Sequence, residues 1–152
     1  MSDLSEAWQM SNESNLILLD AIHERHLGDR YASGTRPIAA QFAHMHNVRL
    51  RWLTHSAPEL AAEVAQFPRG TELTKEDLLE ALKSSSKVID IYLGRCDEAG
   101  DVSSWNGPPA SFLAYLVAHE AHHRGEILAA LTACGHKPDG VGEKLWEWGM
   151  RS

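Results

Sequence analysis

A chain of 152 residues with 43% apolar side chains can bury a core without disulfide staples, and one domain spanning residues 1–152 is expected. Lys and Arg number 14 against 21 Asp and Glu, a net charge of −7 with no basic run, which excludes nucleic acid as the expected partner. No apolar run of about 18 residues could cross a membrane. The N-terminal MSDLSEAWQM lacks the order of a signal peptide, and Cys96 and Cys134 are too sparse for a disulfide framework. A cytoplasmic protein with reduced core thiols and no membrane partner is expected.

Apolar residues recur at helical spacing and nowhere alternate over a long stretch, so the chain reads as all-α. A first helix is expected from about Asp3 to His26, with Trp8, Leu16, Leu19 and Ile22 toward the core. Gly28 and Ser33-Gly34-Thr35-Arg36-Pro37 then form a loop. A second helix runs from about Pro37 to His55. Pro58 and Pro68-Arg69-Gly70 bracket a short irregular or helical segment, and Thr74-Lys75-Glu76-Asp77 has the form of a capped start for a third helix ending before Gly100. Pro108-Pro109 opens a fourth helix and Gly135 closes it. A C-terminal extension, Gly140 to Gly149 with "LWEWG", is expected to add a helical turn or cap one end of the bundle with Trp146 and Trp148. Four long helices joined by moderate loops make a four-helix bundle, an architecture whose core commonly builds metal sites from facing helices.

The fourth helix carries "HEAHHRG", residues 119–125. Positions i and i+4 of a helix lie about 40° apart and roughly 6 Å along the axis, so His119 and His123 can aim at one point. His122 borders the same face. Phe112, Tyr115, Leu116, Ile127, Ala130 and Cys134 share the face of the pair, which turns it inward. Buried imidazoles need partners for their nitrogens, either a metal with outer acceptors or ordinary core hydrogen bonds, and spacing alone does not choose. The stretch also matches HExxH formally, which would make Glu120 the general base of a metalloprotease. A third ligand is available on the second helix, in "HMHNVRLRWLTH", but His44 and His46 point about 160° apart and periodicity does not choose between them either.

Two stretches, "QFAHMHNVRLRWL" (41–53) and "AHEAHHRGEILAAL" (118–131) with its H-x-x-x-H-R-G pattern, resemble the DinB/YfiT-like superfamily of metal-dependent enzymes, which includes thiol-dependent S-transferases. The resemblance implies a four-helix bundle with three metal-binding histidines, one on the second helix and two on the fourth. Carried onto this chain they are His44, His119 and His123. It also implies a divalent ion, zinc or nickel, and a homodimer, and it disfavours the protease reading. Two positions depart from the family pattern: Arg36-Pro37 replaces an aromatic-hydroxyl pair, and Glu126 stands where Gln is common.

Three neutral imidazoles leave open positions on a divalent ion, where a thiolate or water can bind. The leading expectation is a metal-dependent transferase that activates a low-molecular-weight thiol for attack on an electrophilic small-molecule substrate. The alternatives are a metal-dependent hydrolase with Glu120 or Glu126 as proton acceptor, and a non-catalytic metal-binding dimeric module. Glu126 is expected either to approach the metal or, more simply, to pair with Arg124 or another helix. Arg124 is expected to cap a helix or pair with an acid, Gly125 to permit close helix packing, and His23, His26, His55 and His136 to be solvated. The tryptophans are expected to anchor the core and helix ends, with one or two lining a pocket above the metal.

Overall fold

A computed structural model describes residues 2–147, so the expected cap at Trp148 lies outside the described residues. The helices are α1 (Asp3–Ala21), α2 (Ile38–Ser56), α3 (Pro58–Ala61), α4 (Lys75–Ala99), α5 (Pro109–Ala133) and α6 (Val141–Glu147), and there is no strand among the described residues. The four long helices form the bundle. Both α1 and α2 pack against α4 and α5, so the site-bearing helices α2 and α5 are direct neighbours.

Local chemistry sets the ends of these helices. Thr74 accepts from the Asp77 amide at 3.1 Å while the Asp77 carboxylate accepts from the Thr74 amide at 2.9 Å, a reciprocal cap that begins α4. Gly100 ends that helix at φ 67°, in the left-handed region that side chains avoid. Pro109 occupies the first turn of α5, where a missing amide proton costs nothing. The first helix stops earlier than its periodicity suggests. Ile22 turns to extended backbone (φ −86°, ψ 127°) and puts a fully buried side chain into the core. His23 Nδ1 then accepts from the Arg25 amide at 3.2 Å and starts a separate 3-10 turn, Glu24–His26.

The apolar core is in two parts. One gathers Leu18, Leu19, Ile22, Ile38, Phe42, Met45, Leu82, Ile127 and Leu131. The other gathers Trp8, Leu50, Leu53, Ile89, Leu93, Phe112 and Leu116. Between them lies a buried polar layer to which every long helix contributes: Asn12 and Asn15 from α1, Arg49 from α2, Ser85 from α4 and Glu120 from α5. Arg49 donates to Glu120 through Nε at 2.7 Å and Nη2 at 2.8 Å, to Asn12 Oδ1 at 2.8 Å, to Ser85 Oγ at 3.0 Å and to the Leu82 carbonyl at 2.9 Å. Its guanidinium also sits 4.8 Å from the Trp8 ring centroid.

Several expectations are corrected here. Leu16 packs at the edge of the core and is only partly buried. Cys96 is a buried thiol, but Cys134 is exposed at the last turn of α5. A Cβ on Gly125 would meet nothing within 4 Å, so this glycine does not serve close packing. Trp146 anchors nothing, being 82% exposed. His26 and His136 are not freely solvated: their rings stack at 3.7 Å, and His136 Nδ1 lies 2.6 Å from Asp29.

Candidate metal centre

His44 projects from α2 toward α5, where His119 and His123 stand one turn apart. One ring nitrogen from each of the three lies within 4.8 Å of the others. The ring centroids are 4.7 Å apart for His44 and His123, 5.4 Å for His44 and His119, and 4.6 Å for His119 and His123. His123 is buried, while His44 and His119 are partly open to solvent. The cluster is therefore a half-covered pocket of imidazoles rather than a sealed core.

The tautomer of His123 follows from its neighbours. Its Nδ1 lies 2.6 Å from Gln41 Oε1 and 3.3 Å from a Glu126 carboxylate oxygen, so this nitrogen carries the proton and donates. Nε2 then presents a lone pair to the cluster. It lies 3.1 Å from His119 Nε2, close to the separation of about 3.3 Å between neighbouring nitrogens bound at 2.0–2.1 Å in a tetrahedral zinc site. The donor set thus fits a divalent ion, with Gln41 as the outer acceptor that orients one ring.

The local field keeps the imidazoles neutral. Burial, then the positive charges of Arg36 and the neighbouring imidazoles, pulls the His44 pKa down to about 4. Burial, then His119, does the same to His123, again to about 4, against an opposing pull from Glu126. His119 is lowered mainly by burial, with Glu120 opposing. At neutral pH all three rings offer lone pairs, the form a metal requires.

His46 does not join them. It is 1% exposed, and its Nδ1 and Nε2 face the Ala81 carbonyl at 3.1 Å and the Ala65 carbonyl at 2.9 Å. Next to it, Asn47 exchanges hydrogen bonds with the backbone of Phe67, at 3.0 Å and 2.9 Å. His46 and Asn47 pin the loop before α4, and the His44 side of α2 is left to the cluster.

The two candidate carboxylates separate. Glu120 sits in the polar layer, 1% exposed, its oxygens taken by Arg49 and by Asn15 Nδ2 at 2.7 Å. Glu126 does reach the cluster, where it contacts His123 and lies 3.1 Å from Nε2 of the exposed His122. Arg124, expected to pair with an acid or cap a helix, donates instead to Asn15 Oδ1 at 2.7 Å, beside Glu120. Sequence reasoning missed Gln41 and Arg49 as partners. Gln41 was findable, since it stands one turn before His44 on the same face of α2.

No curated protein matches the chain. The sequence pattern of the DinB family matches residues 1–150, essentially the whole bundle. This all-helical chain, with histidines from α2 and α5 that can hold a metal ion, belongs to the DinB family.

Proposed function

We propose that the protein is a metal-dependent transferase, with His44, His119 and His123 holding a divalent ion, zinc or nickel, and a low-molecular-weight thiol attacking an electrophilic small molecule there. The observation that carries the reading is the convergence of three neutral imidazoles, two of them partly open to solvent. When bound, the ion supplies Lewis acidity that lowers the pKa of a thiol, so that a nucleophile exists at neutral pH. The protein's own groups do the rest. Gln41 and Glu126 hold the His123 Nδ1 proton and fix the direction of Nε2. Partial burial of the cluster limits competing water, and its open side admits substrate.

Hydrolysis is the second reading, favoured by Glu126, a carboxylate already against His123. It loses Glu120 as a base, since that carboxylate is enclosed by Arg49 and Asn15. The test is turnover of a panel of electrophiles by zinc- and nickel-loaded protein, with and without added thiol, beside a His44→Ala/His119→Ala/His123→Ala variant checked for helix content. Thiol-dependent transfer lost in a folded triple variant is the expected result. Turnover without thiol selects hydrolysis, and an unchanged transfer rate in the folded triple variant refutes both.

A further inference from the structure

We infer that the cleft between α2 and α5 binds a small organic carboxylate with an apolar body, its reactive end at the three histidines and its carboxylate at Arg51. This inference rests on the metal-centre reading and names the substrate class of that site.

The first argument is continuity. A groove of about 300 Å³ is lined by Val48, Arg51, Trp52, His55 and Tyr115. Val48 is one turn beyond His44 on α2, and Tyr115 is one turn before His119 on α5, so the groove and the histidine cluster share both walls. The Tyr115 ring lies along that of His119, with centroids 6.2 Å apart and planes 23° from parallel. The volume lies at the lower end of the range for small-molecule sites, about 300–1,000 Å³.

The second argument is the lining. Trp52 meets Tyr115 at 5.5 Å, Trp105 at 5.9 Å and Phe112 at 5.4 Å, all edge to face. These contacts hold a rigid aromatic wall, which receives an apolar body at little entropic cost.

The third argument is charge. The side chains of Arg25, Arg30, Arg49, Arg95 and Arg124 all donate hydrogen bonds, that of Arg30 to a backbone carbonyl. Among the described residues, Arg36, Arg51 and Arg69 make neither an ion pair nor a side-chain hydrogen bond, and of these three only Arg51 lines the groove. Arg51 is two helical turns from His44 on the same face, roughly 10 Å along the axis. Burial first, and then Arg36 more than Arg51, lowers the pKa values of His44 and His119, while Arg36 alone of the two acts on His123. The opposing charge, Glu126, is beyond His123 at the far end of the cluster from Tyr115. Arg36 precedes α2 and lies toward the Glu126 end of the cluster, so the positive charge along the groove is that of Arg51, which sets the place where an anion lies.

Calorimetric titration of the zinc-loaded full chain tests this with three probes: 3-phenylpropionate, its uncharged amide, and 3-mercaptopropionate. Wild type is expected to prefer the phenyl carboxylate over the amide by about tenfold or more, the scale of a charge-assisted hydrogen bond. Arg51→Met is expected to remove that preference, with zinc content unchanged, whereas Arg36→Met, at the other end of the cluster, leaves it in place. Trp52→Ala weakens both phenyl ligands alike. No preference in wild type, or one that survives in Arg51→Met, overturns the inference and leaves the metal as the anion receptor. Loss confined to 3-mercaptopropionate also overturns it, because the anion would then belong to the thiol. If wild type holds no zinc, the metal-centre reading fails separately. The same titration in chelator still reads the arginines, with a retained preference supporting the inference and an absent one overturning it.

Discussion

Replacing Glu120 by Gln isolates the buried ion pair without changing side-chain volume. In the native protein the carboxylate accepts from Arg49 Nε, Arg49 Nη2 and Asn15 Nδ2, all within 2.8 Å, while Arg124 donates to the same Asn15 at 2.7 Å. One buried guanidinium, Arg49, thus pairs with one buried anion, and a half-buried one, Arg124, is tied to it through Asn15. Glutamine leaves both cations uncompensated and turns an amide donor or a weak acceptor toward Arg49. Breaking a buried pair from one side costs about 3–5 kcal/mol. Arg49 keeps Asn12, Ser85 and the Leu82 carbonyl, which places the expected loss near the lower figure, about 3 kcal/mol. In a chain of this size that corresponds to a fall in Tm of about 10 °C. Urea unfolding of the chelated protein, followed by circular dichroism at 222 nm, measures it. The Glu120→Gln/Arg49→Met double variant is expected to lose less than the sum of its parts, because neither charge is then stranded. A loss below about 1 kcal/mol in Glu120→Gln, or strict additivity in the double variant, would mean that the two charges are not paired in a desolvated layer. An abolished turnover at unchanged stability would instead return Glu120 to the role of a base.

Three further outcomes are expected. His44→Ala and His119→Ala lose bound metal by elemental analysis, whereas His46→Ala keeps it and loses roughly 2–3 kcal/mol of stability, the buried ring being removed and the one carbonyl that accepts its N–H losing its donor; metal loss in His46→Ala would contradict the assignment. Gln41→Leu leaves the fold intact and weakens zinc binding by about 10- to 100-fold in competition with a chromophoric chelator, and an unaltered affinity would remove Gln41 from the centre. Without metal, His44 and His123 have folded pKa values of about 4 against an ordinary 6.5. The unfolded chain binds more protons between these limits, so their contribution is complete above pH 6.5 and is lost as the pH falls toward 4. Urea midpoints at pH 7, 5.5 and 4.5 should fall more steeply for wild type than for His44→Gln/His123→Gln, and equal slopes would falsify the assignment.

Helix starts and stops were legible because each is a local event. The Thr74-Asp77 cap, Gly100 and Gly135 at positive φ, and Pro109 at a helix start act within a few residues. The early end of α1 was not, since Ile22 continues the apolar periodicity and leaves the helix only because the core receives it there. At the site, the spacing of His119 and His123 was readable. The choice of His44 over His46 needed the resemblance, because what separates them is the 65–67 loop folding back onto His46, a long-range contact. Glu120 was read as a base from HExxH because sequence spacing says which face a residue occupies and not what lies opposite. Its partner Arg49 is 71 residues away.

The polar layer also fixes how the four helices are threaded against one another. Leu, Ile and Phe ridges tolerate sliding, and an apolar bundle shifted by one turn, about 5.4 Å, still buries most of its surface. A carboxylate that must meet a forked guanidinium between two asparagines tolerates no such shift, because any other alignment strands a charge in hydrocarbon. Glu120 follows His119 directly, and Arg49 lies five residues beyond His44 on the facing helix. The pair that aligns α5 with α2 therefore also aligns the histidines, and the energy that selects one helix alignment out of several is the same energy that keeps three imidazoles within reach of a single ion.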